Sequence, residues 1–302
     1  MLSISKSYHC IKSSLCCLMV FLCSHSYGQV DLLLQAQDFA NTNQIDKAIP
    51  LLEKVILHDD TKNDPDAWHI RAFCYLKSYR TSNATMTIKI NLLDTAVTSS
   101  IKSIVLDKKN DFRENNVAFI KNSAAGYYTL CNKLLTDSSN YTKSEACYLK
   151  YKKYHAILNP DFDFKQKDIE YYSYAGSFFA NMYSNNNFNQ KYVENAKVAL
   201  QKVLEIDPKN ISANVNLGVL YYNQGAMLMR MMDYDADLSQ LDVIQENAKK
   251  LFKQSLPFMI KVYELDPDNK KVLESLQGSY SALMDEEKAN EFQRKKEALK
   301  QK

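Results

Sequence analysis

Cys131, Cys147 and His155 are the residues whose types most readily suggest covalent chemistry. A cysteine nucleophile needs a lowered thiol pKa and a histidine close by in space, and His155 is the formal candidate for that partner. The same two cysteines could instead bridge two paired helices, or fill a core as small apolar residues, which is the commoner fate of an isolated cysteine. His58-Asp59-Asp60 with Asp64 gathers one imidazole and three carboxylates. It lacks the alternating oxygen ligands and central glycine of a calcium loop, so it reads as a solvated helix end. His58, His69 and His155 are not four residues from one another and lie beside no cysteine pair, so zinc spacing is missing. No two glycines lie close enough for a phosphate loop, and no Gly-x-Ser-x-Gly elbow occurs. The expectation is a non-enzymatic protein with no catalytic residue, no metal and no cofactor.

Aromatic residues carry the second signal. Tyr171, Tyr172, Tyr174, Phe178, Phe179 and Tyr183 crowd one segment, and Tyr127-Tyr128 lie in another. Packed between helices, such rings fill gaps and send their hydroxyls to water. Exposed together, Tyr171, Tyr172 and Tyr174 would form a stacking surface for a sugar or small molecule. The alternative function is therefore a small-molecule or glycan-binding module on the helix 164–184.

These residues must be held by helices. Val203-Leu204-Glu205-Ile206-Asp207-Pro208-Lys209-Asn210 recurs as Val262-Tyr263-Glu264-Leu265-Asp266-Pro267-Asp268-Asn269, and more loosely as Ile104-Val105-Leu106-Asp107-Lys108-Lys109-Asn110. Each is an apolar run stopped by Asp-(Pro)-x-Asn and followed at once by another helical run. Recurrent helix-stop-helix signals imply stacked helical pairs, because one pair cannot bury its apolar face alone. Gly126, Gly176, Gly218 and Gly278 each fall mid-helix, where glycine costs about 1 kcal/mol against alanine. Close approach of a neighbouring helix is the natural reason, and Ala72 takes the same place earlier.

Around these small residues the chain resembles the tetratricopeptide repeat family. Leu217-Gly218 with Tyr221 matches the family's Leu-Gly-x-x-Tyr, and Trp68, Ala72 and Tyr75 match the same places. In second helices, Ala196, Leu200, Val203 and Pro208 match, as do Ala48, Leu52 and Val55, then Ser255, Met259, Val262 and Pro267, and less well Ala96, Ser100, Ser103 and Lys108. Pro50 and Pro257 share a register, which suggests that their helices start nearby. The copies exceed the family period of roughly 34 residues. Either the turns at Tyr79–Thr87, Thr136–Asn140, Asn185–Asn189 and Asp233–Ser239 are enlarged or the helices are longer, as Met227–Met232 suggests.

The resulting map is all-α: a right-handed superhelical solenoid of about six helical pairs over 29–302, with 285–302 as a C-terminal capping helix. First helices fall near 30–41, 65–80, 111–135, 164–184, 210–231 and 269–284. Second helices fall near 44–58, 87–106, 141–158, 189–206, 241–265 and 285–300. In the family, first helices line a concave groove. The resemblance implies groove positions at His69, Phe73 and Lys77, then Ser123, Tyr127 and Cys131, then Ser173, Ser177 and Asn181, and finally Val215, Val219, Tyr222 and Asn223. The lysines and asparagines with which some members hold a terminal carboxylate are scattered here over three copies, as Lys77, Asn181 and Asn223. An extended peptide or a partner's helix fits better.

Lys6, Lys12, the apolar run Leu15–Cys23 and Ser26-Tyr27-Gly28 predict a cleaved signal peptide over 1–28. Its removal takes two lysines and no acid, so the net charge falls from +3 to +1. That near-neutral balance disfavours nucleic acid and anionic lipid as partners. Three of the seven cysteines remain, so at most one disulfide is possible and the fold must rest on its core. No further stretch is long and apolar enough to span a membrane. The asparagine-, lysine- and tyrosine-rich composition resembles exported repeat proteins of Bacteroidetes-type bacteria. The expected role is therefore a periplasmic scaffold that binds a protein or peptide in an envelope-associated complex, an analogy of fold and address.

Overall fold

The computed structural model describes residues 31–300 apart from 187 and 234–236. The expected signal peptide, residues 1–28, lies outside the described residues. The fold is all-α, and no strand occurs among the described residues. The chain divides between Phe162 and Asp163 into two units. The first contains α1 (31–41), α2 (Ile45–Val55), α3 (Pro65–Thr81), α4 (Met86–Leu106), α5 (Arg113–Leu134) and α6 (Tyr141–Leu158). The second contains α7 (Lys165–Asn185), α8 (Val193–Ile206), α9 (Ile211–Arg230), α10 (Leu238–Leu265), α11 (Lys270–Ala282) and α12 (Glu286–Lys300).

The Asp-Pro-x-Asn motif acts as both stop and restart. Asn210 accepts a hydrogen bond from the Ala213 amide and caps α9, while its own amide donates to Asp207. Asn269 repeats both contacts with Val272 and Asp266 at the head of α11. Such caps satisfy amides that the first helical turn leaves unpaired. The looser copy works differently. Asn110 sits in the left-handed region at φ 62°, and Asp107 accepts from the amides of Asp111 and Phe112.

Packing follows the small-residue register. Ala48, Leu52, Val55, Ala96, Ser100, Ser103, Ala196, Leu200, Val203, Ser255, Met259 and Val262 are all fully buried. In the first unit α3 packs on α2, α4 and α5, and α5 packs on α4 and α6. Leu33, Ala36, Leu52, Val55, Ile70 and Cys74 form one core there. In the second unit α7 packs on α8 and α9, and α9 packs on α8, α10 and α11. Met259, Val262, Leu273, Leu276, Tyr280 and Phe292 form its far core, closed by α12 through Ala289 and Phe292.

One expectation about helix ends is corrected. Pro257 lies well inside α10 rather than in its first turn, and Pro50 lies within α2. Of the two readings left open for the long spacing, longer helices hold at Tyr79–Thr81 and Met227–Arg230, which are helical. Among the described residues, no helix is long and apolar enough to cross a membrane.

Candidate functional site

In the second unit the first helices of successive pairs lie side by side, and their shared face is hollow. A pocket of about 380 Å³ opens between α7, α9 and α11. From α7 it takes Ala180, Asn181 and Ser184, and from α9 Val215, Val219, Tyr222 and Asn223. From α11 it takes Lys271, Glu274 and Ser275. Asn181, Val215, Val219, Tyr222 and Asn223 are five of the sequence-predicted positions, brought together from two helices. Ser177, another predicted position, accepts a 2.9 Å hydrogen bond from Asn216 and ties α7 to α9 beneath the pocket. Ser173 is half-buried and lies outside the lining.

Two valines give the pocket an apolar floor, while Asn181 and Asn223 supply amides that bond to no other described residue. Lys271 and Glu274 add one charge of each sign. Burial first, and then the charge of Glu274, raise the Tyr222 phenol above its ordinary pKa, so it stays a neutral donor. Its hydroxyl lies against Gly278 of α11, where a Cβ would collide with it. The contribution of α11 was missed in the sequence reading. Gly278, already noted as a close-approach residue, was the signal that α11 also borders this face.

The first unit departs from expectation. Ser123, Tyr127 and Cys131 are fully buried and line no groove. Ser123 bonds to the Phe119 carbonyl, and Tyr127 donates to Asp94 of α4. The cause is a shift of register. Gly176 and Gly218 face Leu200 and Met259 of their own paired helices, whereas Gly126 faces Leu93 and Tyr79 of the preceding pair. Positions counted from Gly126 therefore point into the core. The exposed stripe of α5 runs instead through Ala118, Asn122, Ala125 and Thr129.

His69 and Phe73 line a smaller hollow of about 240 Å³ with Gln37, Asn41, Asp66 and Phe112. Lys77 lies apart from them, in a hollow beside the α1–α2 turn with Asn43, Ile45 and Thr81. A buried relay orients the imidazole. Ser103 Oγ donates to the Pro65 carbonyl at 2.7 Å, so it must accept from Asn116 Nδ2 at 2.9 Å. That leaves Asn116 Oδ1 as an acceptor, and the His69 Nδ1–H donates to it at 3.1 Å. Neutral His69 therefore keeps its Nε2 lone pair free to accept. The ring stacks on Phe112 at 4.8 Å and on Phe119 at 5.3 Å.

The other chemical candidates resolve into structural roles. Cys74, Cys131 and Cys147 are free, buried thiols. Burial pushes Cys74 and Cys131 up to about 12 and Cys147 to about 11, so none supplies a thiolate near neutral pH. His155 packs against Tyr151 and Phe162. Asp64 caps α3, and Asp59 pairs with Lys62. No group of three or more potential ligands is placed to hold a metal ion among the described residues. The tyrosine platform does not form: Tyr171 is 2% and Tyr172 7% exposed, against 50% for Tyr174. Their rings pack edge to face inside the unit, where the core claims the faces a sugar would need.

No protein-family model matches the chain, and no curated protein sequence matches it significantly.

Proposed function

We propose that the chain is a non-enzymatic scaffold, each unit a stack of tetratricopeptide-like helical pairs, and that the face of α7, α9 and α11 holds an extended segment of a partner protein. The observation that carries this reading is the meeting of Asn181 and Asn223 over Val215 and Val219 in one pocket. An asparagine amide offers a donor and an acceptor, as a peptide unit does. Two uncommitted amides on adjacent helices can therefore grip a backbone while the valines receive a side chain. The lining carries one charge of each sign, from Lys271 and Glu274, and this balance suits a neutral segment better than a charged tail. The basic, apolar and small-residue pattern over 1–28 supports export to the periplasm, where an envelope-associated complex is the setting we infer.

Selection from a random peptide library against the chain tests this. Enriched peptides should bind the wild type and lose about tenfold in affinity to the Asn181→Ala/Asn223→Ala variant, the effect of about 1.4 kcal/mol of lost hydrogen bonding. Enriched peptides that bind both proteins equally would refute the placement of the site.

A further inference from the structure

The proposed function leaves unused the 240 Å³ hollow of the first unit, between α1, α3 and the entry to α5. Its chemistry is one-sided. Asp66 lines it from the first turn of α3, and its carboxylate pairs with no lysine or arginine among the described residues. Burial, and next the charge of Asp64, raise its pKa, as expected of a carboxylate short of positive neighbours. His69 presents an acceptor, because the relay from Pro65 through Ser103 and Asn116 consumes its Nδ1–H. Phe73 and Phe112 also line it, and the faces of such rings carry negative quadrupole density. Gln37 and Asn41 can turn their amide oxygens inward. No lysine or arginine lines the hollow.

We infer that this hollow binds an organic cation with N–H donors, namely a primary ammonium held between the Asp66 carboxylate, His69 Nε2 and the rings of Phe73 and Phe112. Attraction of an ammonium to aromatic faces complements its charge pairing with Asp66. A metal ion is the poorer guest, since phenyl walls cannot ligate it and only one carboxylate and one imidazole line the site. Size narrows the choice further. The volume falls below the roughly 300 Å³ at which pockets for drug-sized ligands begin, so it fits one side chain or a small amine. The ammonium can come from a lysine of a bound protein or from a free amine.

Titration of the full chain, followed by amide chemical shifts, tests the inference and separates the two sources. The probes are butylammonium, butan-1-ol, a blocked Gly-Lys-Gly peptide and the same peptide with its lysine ε-acetylated. The cationic probes should shift the amides of Asp66, His69 and Phe73, and the neutral ones should not. Asp66→Asn should weaken cation binding by about tenfold, while Asn223→Ala leaves it unchanged. Butylammonium binding as tightly as the lysine peptide would identify a free amine, and tighter binding of the peptide a partner's lysine. Neutral probes that match their cationic counterparts, or an unchanged affinity in a folded Asp66→Asn, would overturn the inference. Were that variant unfolded, the comparison of probes on the wild-type chain decides alone.

Discussion

Gly176 of α7 lies directly beneath Leu200 of α8, so that a Cβ at 176 would sit 2.5 Å from Leu200 Cγ. Leu200 is fully buried and has little room to retreat. Overpacking of this kind costs about 1–3 kcal/mol, against roughly 1 kcal/mol returned by the better helix propensity of alanine. Gly176→Ala should therefore destabilise the chain. Gly218 makes the same crossing with Met259, whose nearest atom, the terminal methyl, would lie 2.6 Å away. Met259 is as buried as Leu200 and its Cγ and Sδ would also lie 2.9 Å away, but its chain is the more flexible, so Gly218→Ala should destabilise too, by less than Gly176→Ala. Urea unfolding of both variants checks the order, and a stabilised Gly176→Ala would contradict it.

Asp94 holds together the contacts of α4, α5 and α6. It accepts the buried Tyr127 hydroxyl and both of its oxygens meet Lys150 Nζ, at 2.6 and 2.7 Å. Burial and then this bond to Asp94 raise the Tyr127 pKa far above its usual range. Asp94→Ala leaves a buried phenol without its acceptor and should cost about 1–3 kcal/mol. Tyr127→Phe keeps the Asp94–Lys150 pair and should cost about 1 kcal/mol. A double-mutant cycle measures the coupling, and strict additivity of the two losses would show that the bond contributes nothing.

The three buried thiols make stability depend on alkali. Each ionises from 9.0 in the unfolded chain but is raised to about 11 or about 12 when folded. Above pH 9 the unfolded chain gives up protons that the folded chain keeps, which favours unfolding. The thiol contribution is thus fully present below about pH 9 and is lost as pH climbs from there towards about 12. Thermal melts of a Cys74→Ala/Cys131→Ala/Cys147→Ala variant should show a shallower alkaline decline than those of the wild type. In native alkylation near pH 8 these three residues should stay unmodified until denaturant is added. Rapid native labelling would refute the buried assignment.

Helix placement was legible because each signal had a single local cause. Asn210 and Asn269 follow an Asp-Pro stop and cap the next helix, and a mid-helix glycine such as Gly176 has no economical role except close packing. Every buried small residue matched in the second helices shares that logic. The residues lining the hollow of α7, α9 and α11 were legible on α7 and α9, where the glycine faced its own pair. For Gly126 the sequence carries no mark of which neighbour it meets, and a rotation of α5 about its axis exchanges Ser123, Tyr127 and Cys131 for Ala118, Asn122 and Ala125. The hollow at Asp66 was hidden for another reason. Gln37, Asp66 and Phe112 come from three separate elements, and their meeting is a tertiary fact. Asp66 alone reads as an ordinary acid in a first helical turn.

On the proposed function, the face of α7, α9 and α11 grips an extended segment. A photo-reactive benzophenone residue placed at Val219, in the pocket, or at Val198, exposed on α8, tests it with a library-selected peptide. Illumination should couple the peptide to the protein labelled at 219 and leave the one labelled at 198 uncoupled. Coupling from 198 without coupling from 219 would place the peptide elsewhere and overturn the proposed site.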